Sequence, residues 1–282
     1  MLFSRLPVLL LTAVLLPSLV EAGLFFKSSP VKMLDAKSFK KALRENQTSV
    51  VAFVAPWCGH CRNLAPEYEK TAKSFNGLVP LYAIDCDAQA NKQFCGQQGV
   101  QGFPTVKLFP RGNQAPPVDY RGERTSKALF SWAMGQIPHG IKRLKAQSEI
   151  TKWVEQSSDK PHAILLNTST KIPLLWKVIA NKYNHRMKFG NLHDEGGSYF
   201  EGLGLEDSSK SDNKVLFFAP GSTEPVLYEG TLKQKELSEF IVSVIKGKAD
   251  LTPRKKGVES DSRETEQVFE TLEDDPVLHE EL

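Results

Sequence analysis

Along the chain, short runs of β-branched and apolar residues alternate with longer stretches in which apolar residues recur every three or four positions. The first pattern is that of a strand and the second that of a helix burying one face. Ser49 to Val54 predicts a strand, Arg62 to Phe75 a helix, Leu81 to Ile84 a strand and Ala88 to Gln97 a helix. Thr105 to Phe109 and Val118 to Tyr120 predict an antiparallel pair around a turn at Gly112, and Ser126 to Ile137 a closing helix. The series then recurs as Ala163 to Leu166, Leu174 to Tyr183, Met187 to Leu192, Val215 to Phe218, Val226 to Tyr228 and Lys233 to Ile245. Strand and helix in alternation, closed by a hairpin and a helix, imply an α/β class with a central mixed sheet covered on both faces.

The recurrence extends to residue identity. Val31-Lys32-Met33-Leu34-Asp35-Ala36-Lys37-Ser38 aligns without gaps with Ile141-Lys142-Arg143-Leu144-Lys145-Ala146-Gln147-Ser148, and each reads as a strand entering a helix. Val106-Lys107-Leu108-Phe109 through Gly112 matches Val215-Leu216-Phe217-Phe218 through Gly221, and Pro117 to Gly122 matches Pro225 to Gly230. The pattern predicts two tandem units, residues 23–140 and 141–246, with a boundary near Pro138 to Gly140; the length of 282 residues fits two compact units.

The ends carry addresses rather than fold. Leu6 to Leu19 is apolar after the basic start at Arg5, and Val20-Glu21-Ala22 fits signal peptidase cleavage before Gly23, so residues 1–22 read as a signal peptide. Pro7 and Pro17 interrupt a run already short for a membrane anchor, and no later stretch is long enough to span. The last four residues, His279-Glu280-Glu281-Leu282, resemble a retrieval signal and imply residence in the endoplasmic reticulum lumen and a retrieval-signal receptor as partner. Residues 247–282 read as a flexible acidic tail. From Leu251 onward there are ten Asp or Glu against four Lys or Arg, so the net charge of +3 conceals a basic body and an acidic tail. That body reads as a solvated surface, with no nucleic-acid partner. In a lumenal chain the Asn46-Gln47-Thr48 and Asn167-Thr168-Ser169 sequons are candidate glycosylation sites.

Candidate chemistry is concentrated in Trp57-Cys58-Gly59-His60-Cys61, between the strand ending at Val54 and the helix near Arg62. Two cysteines three apart at a helix N-terminus can close a disulfide, and the helix dipole and the His60 imidazole favour a thiolate on Cys58. Cys58 is then the nucleophile and Cys61 the resolving thiol. Stabilising the thiolate stabilises the reduced form, giving a potential on the order of −180 mV for sites of this kind. The same spacing also serves zinc, with only Cys86 and Cys95 left to complete a site, and their separation of nine is unlike a zinc ribbon. In an oxidising lumen Cys86 and Cys95 most simply pair as a structural disulfide worth about 2 to 3 kcal/mol, with a second redox pair as the alternative.

Ala55-Pro56-Trp57-Cys58-Gly59-His60-Cys61 and Gly102-Phe103-Pro104-Thr105 resemble the active-site and cis-proline motifs of the protein disulfide isomerase family, of its small lumenal kind with a single active site. The resemblance is strong from Val31 to about Ile137 and a match of pattern beyond. It implies two thioredoxin-like domains, the second resembling the family's inactive domain. It implies a cis bond at Pro104 beside the cysteines, with the backbone of Phe103 free to pair with an extended substrate and Trp57 beside it. Arg124, in Tyr120-x-Gly122-x-Arg124, matches the arginine that can approach the resolving cysteine; the alternative is an exposed loop arginine. Relatives usually place a buried Glu three residues before the Ala-Pro-Trp-Cys motif and a Lys on the neighbouring strand; here those positions are Ala52 and Ala83.

The second unit has Thr168-Ser169-Thr170-Lys171 in place of the motif, Asn213 opposite Pro104 and Leu232 opposite Arg124, which argues against redox chemistry there. The expected activity is thiol-disulfide exchange on unfolded or misoxidised secretory proteins, without metal or organic cofactor, recharged by a lumenal thiol oxidase and working beside other lumenal chaperones. The competing expectation is a chaperone or adaptor that binds clients or glycoprotein-processing proteins, with redox activity secondary.

Overall fold

A computed structural model describes residues 24–25, 27–44, 47–205 and 213–253, and the chain divides into two compact units between Gln136 and Ile137. The signal peptide, Asn46 and the terminal His279 to Leu282 lie outside the described residues.

The first unit contains β1 (Lys32–Met33), α1 (Ala36–Leu43), β2 (Ser49–Val54), α2 (Gly59–Phe75), β3 (Leu81–Asp85), α3 (Gln89–Gln97), β4 (Thr105–Asn113), β5 (Val118–Asp119) and α4 (Ser126–Gln136). Its sheet order is β1-β3-β2-β4-β5, with β2 parallel to β3 and antiparallel to β4. All six residues of β2 are buried, as expected of an apolar strand covered on both faces. Val51 and Phe53 point to one side, packing with Phe39 and Leu43 of α1 and Phe94 of α3. By alternation Ala52 points to the other face. α2 buries Cys61, Leu64, Tyr68, Thr71 and Phe75, a stripe at helical spacing. Phe75 meets Phe130 of α4 with ring centroids 4.6 Å apart, so α2 and α4 pack together. Cys61 therefore belongs to the buried stripe of α2, while β2 delivers its C-terminal end to that helix's N-terminus.

The second unit contains β6 (Lys142–Leu144), α5 (Gln147–Glu155), β7 (His162–Asn167), α6 (Leu174–Tyr183), β8 (Lys188–His193), α7 (Ser198–Gly202), β9 (Lys214–Phe218), β10 (Val226–Leu227) and α8 (Gln234–Ile245). The order β6-β8-β7-β9-β10 reproduces that of the first unit strand for strand. Trp176 anchors one of its two core clusters; it is 2% exposed and its indole N–H donates to the Gly190 carbonyl at 3.0 Å. Gly190 also makes room for another ring: a Cβ there would stand 3.0 Å from Trp153.

One corner is built identically in both units. Tyr120 folds over Gly122, where a Cβ would lie 2.7 Å from its hydroxyl oxygen, and that hydroxyl donates to the Glu123 carbonyl. Tyr228 folds over Gly230 in the same way and donates to the Thr231 carbonyl at 3.3 Å. Glycine is required at both positions because a side chain would displace the ring.

Four expectations change. β4 continues through Gly112 to Asn113 instead of turning at the glycine. Residues 247–253, expected to belong to the tail, are described, and Ala249 and Leu251 pack against the second core. The short helix α7 carries no sequence signal; it is held by the buried Asp194 carboxylate, which accepts from the amides of Tyr199 and Phe200 at 3.0 and 3.2 Å. The glycan expected at Asn167 has no place, for that side chain is 1% exposed. Its amide nitrogen donates to the carbonyls of Ser169 and Lys171 at 2.7 and 3.2 Å, and its Oδ1 accepts from Asn191 at 2.7 Å. An attached sugar would displace one of those bonds and needs a path to solvent.

His162 gives the second unit a pH dependence. The ring is fully buried, edge-on to Trp153 of α5 at 4.7 Å, and paired in register with Lys188 of β8 and Phe218 of β9. Neither ring nitrogen has a well-formed hydrogen bond among the described residues; the Lys160 backbone is the polar group that approaches it. Burial pushes its pKa below the ordinary 6.5, with Lys188 adding to that and Asp159 opposing it. A base whose folded pKa is depressed binds its proton more readily when unfolded, so stability is complete above about pH 6.5 and falls as pH drops below it. Calorimetry from pH 7.5 to 5 is expected to show the second unit melting progressively lower, and His162→Phe is expected to flatten that slope. An unchanged slope in the variant would reject the assignment.

Candidate active site

β2 ends at Val54, and Ala55-Pro56-Trp57 carry the chain to Cys58, which caps the N-terminus of α2. The helix starts at Gly59, three residues before the sequence pattern predicts, so Cys61 lies in its first turn. The Cys58 amide donates to the Ala55 carbonyl at 3.1 Å, and the Cys58 carbonyl accepts from the amides of Cys61 and Arg62, both at 3.1 Å. The Cys58 thiol, partly exposed, points to the Phe103 carbonyl at 3.6 Å. The Phe103–Pro104 bond is cis. Trp57 is 63% exposed and meets Phe103 edge-on, with centroids 6.0 Å apart, an apolar rim beside Cys58.

The two thiols stand in opposite environments. Burial works against the Cys58 thiolate but is outweighed by hydrogen bonds from the Cys61 backbone and thiol and the His60 backbone, with the Arg124 charge adding to them, so its pKa is lowered. His60 thus contributes through its main-chain N–H, where the sequence pointed to the imidazole. Cys61 is 0% exposed and its thiol is pushed up to about 12. Burial is the largest cause; the Cys58 sulfur adds to it by hydrogen bond and charge, while the Ala55 backbone and the Arg124 charge oppose it. Arg124 is exposed in its loop, yet its field reaches both sulfurs. The arrangement can present a nucleophilic thiolate while holding a second thiol protonated at bonding range, the requirement for exchange in two steps.

Cys86 and Cys95 form a disulfide with 5.9 Å between Cα atoms, buried against Phe39, Phe94 and Phe109. A bonded pair has no thiolate to offer. Ala52 and Ala83 are direct partners in the β2–β3 register and both are 0% exposed. In the second unit Asn213 precedes β9 at the place of Pro104, and Leu232 holds that of Arg124.

The sequence reading missed two side chains. Arg62 uses one nitrogen, Nη1, to donate to the carbonyls of Pro56 and Trp57, both at 3.1 Å, strapping the loop ahead of the nucleophile. Glu67 reaches 59 residues along the chain to the amide of Ser126. Neither lies in a motif; a long polar residue on the half-exposed side of a helix carries no signal of where its far end goes.

Residues 30–134 match the thioredoxin family model. A thioredoxin domain-containing protein of Schizosaccharomyces pombe, named as mitochondrial, is 32% identical over 76% of this chain and 59% of its own length. Protein disulfide-isomerase MPD1 of Saccharomyces cerevisiae is 30% identical over 79% of this chain and 80% of its own. The crystal structure of ERdj5 form II superposes with a TM-score of 0.54 at 20% identity, covering 78% of this chain and 30% of that one, a likeness of fold. Several longer curated relatives are spanned over only 53% to 59% of their length. With its dithiol, its cis-proline and a relative matched over most of both chains, this chain belongs to the protein disulfide isomerase family.

Proposed function

We propose that the chain is a thiol-disulfide oxidoreductase and isomerase of secretory proteins in the endoplasmic reticulum lumen, with one working site. The observation that carries this reading is the asymmetry of the two sulfurs: Cys58, with lowered pKa, at a helix N-terminus under an exposed Trp57, and Cys61 fully buried and protonated one turn away. The Cys58 thiolate attacks one sulfur of a client disulfide; a mixed disulfide forms and the other client sulfur leaves as a thiolate. Cys61 then loses its proton and attacks Cys58, closing the internal disulfide and releasing the client as a second thiol. Two electrons pass to the client, and run in reverse the same steps oxidise it. Phe103 and the cis bond present a backbone edge to an extended client. A thiol oxidase returns the pair to the disulfide, and the retrieval-signal receptor reads His279 to Leu282. The lumenal address rests on those end signals, and the mitochondrial name of the Schizosaccharomyces pombe relative opposes it, so location is tested directly by imaging the tagged full chain.

Refolding of a reduced, denatured disulfide protein in glutathione buffer tests the activity: the wild type is expected to accelerate recovery at least tenfold and Cys58→Ala to abolish the gain. No acceleration by the wild type would reject the oxidoreductase reading. The apolar rim of Trp57 and Phe103 favours a second reading, client binding as the main work. If a Cys58→Ala/Cys61→Ala chain suppresses client aggregation as well as the wild type while the wild type adds little to refolding, that reading takes precedence.

A further inference from the structure

Arg124 is one of the groups that favour ionisation of the buried Cys61 thiol, and it stands on a loop, so what fixes that loop bears on the chemistry. On one side, the Tyr120 hydroxyl holds the carbonyl of Glu123. On the other, Thr125 caps the start of α4, its side chain accepting from the Ala128 amide at 3.3 Å and its carbonyl from Leu129 at 3.0 Å. The next amide, that of Ser126, belongs to the first turn of α4 and has no partner within its own helix. Glu67 of α2 supplies one: its Oε2 accepts from Ser126 at 2.8 Å while Lys70 holds Oε1 at 2.6 Å. A carboxylate also suits the positive end of a helix. The Thr71 hydroxyl donates to the Glu67 carbonyl at 2.8 Å, so the clamp is anchored to the helix that carries Cys61.

The second unit separates the part of this corner that serves the fold from the part that accompanies the cysteines. Tyr228 and Gly230 repeat the tyrosine corner where no redox pair exists. Leu232 stands at the place of Arg124, and α6, the counterpart of α2, contains no Asp or Glu at all. Within this one chain the arginine and the carboxylate clamp are present together beside Cys58 and Cys61 and missing together where those are missing.

We propose that Glu67 is a positioning residue for Arg124, tying the start of α4 to α2 so that the guanidinium is held at the distance from Cys61 that mixed-disulfide resolution requires. The proposal rests on the oxidoreductase reading. The step concerned is the second one: Cys61 gives its proton to water, its thiolate attacks Cys58 Sγ, the Cys58–Cys61 bond forms, the Cys58–client bond breaks, and the client thiolate departs and takes up a proton.

Rapid-mixing kinetics with a disulfide-bonded model peptide separates attack from resolution. Glu67→Ala is expected to leave attack within about twofold, slow resolution about tenfold and move the pH profile of resolution to higher pH. Glu67→Gln keeps an acceptor for Ser126 and is expected to recover most of the rate. Ser126→Pro removes the donor from the other side at a helix position where proline is well tolerated, and is expected to reproduce Glu67→Ala with the carboxylate intact. In an Arg124→Ala background Glu67→Ala is expected to cost nothing further. Unchanged resolution in both Glu67→Ala and Ser126→Pro, or losses that multiply with that of Arg124→Ala, would overturn the proposal while leaving the oxidoreductase reading in place. A wild type that forms no mixed disulfide would overturn both.

Discussion

A Cys61→Ala chain mixed with an oxidised client is expected to accumulate as a covalent complex through Cys58, with a lifetime longer than the wild type's by on the order of 10⁴- to 10⁵-fold. The size follows from two opposed magnitudes. A thiol pushed up to about 12 is ionised at pH 7 to only about one part in 10⁵. Against that, a well-placed intramolecular nucleophile acts at an effective concentration of about 10⁵ M or more, so Cys61 behaves as roughly molar thiolate. Millimolar glutathione, a few per cent ionised, offers only about 10⁻⁵ to 10⁻⁴ M thiolate and is the sole competitor once Cys61 is gone. Non-reducing electrophoresis after acid quenching reads the result. If the variant yields no more complex than the wild type, Cys61 is not the resolving group and the two-step reading fails.

The second large effect concerns a missing pair. Ala52 and Ala83 face each other across β2 and β3, both fully buried, with the Tyr68 hydroxyl beside them, bonded to the Tyr82 carbonyl at 3.0 Å. Because positions 52 and 83 pair directly, a lone buried charge at either would cost about 3 to 5 kcal/mol, whereas two alanines cost nothing of the kind. The resemblance implies that a carboxylate at position 52 would take the proton of Cys61; with alanine there, water takes it and the charge of Arg124 favours its loss. Ala52→Glu/Ala83→Lys is therefore expected to speed resolution about 10²-fold, the low end of general base catalysis, with attack by Cys58 unchanged. Ala52→Glu alone is expected to be markedly less stable. Stopped-flow turnover of a disulfide peptide decides it, and equal resolution rates in a folded double variant would show that the missing pair does not limit exchange.

The sequence made legible whatever rests on local pattern. β2 and α6 have the ends predicted for them, because a β-branched run and a helical stripe bounded by Pro173 are self-announcing. The sulfur chemistry was legible for the same reason, four cysteines at informative spacings. What escaped depends on partners far along the chain. α2 begins early because Cys58, with no capping side-chain bond, gives no start signal. α7 depends on Asp194 and on Gly196 and Gly197 in left-handed conformation. Asn167 reads as a surface sequon until Asn191, 24 residues on, is seen to receive it in the interior. Glu67 shows the same limit over a longer span.

The Asn167–Asn191 pair makes the lack of cysteines in the second unit hard to reverse by descent. Had the duplicate only lost its cysteines, two substitutions in an exposed loop would restore them. Instead its loop is tied down from within: Asn167 occupies the strand end that Val54 holds in the first unit, and Asn191, at the place of Ala83, secures it and the Leu165 carbonyl at 3.1 Å. Releasing the loop one change at a time passes through a chain with an orphaned buried amide, at about 1 to 3 kcal/mol, before any redox benefit returns. Selection for stability alone would then keep a dithiol out of this half of the molecule.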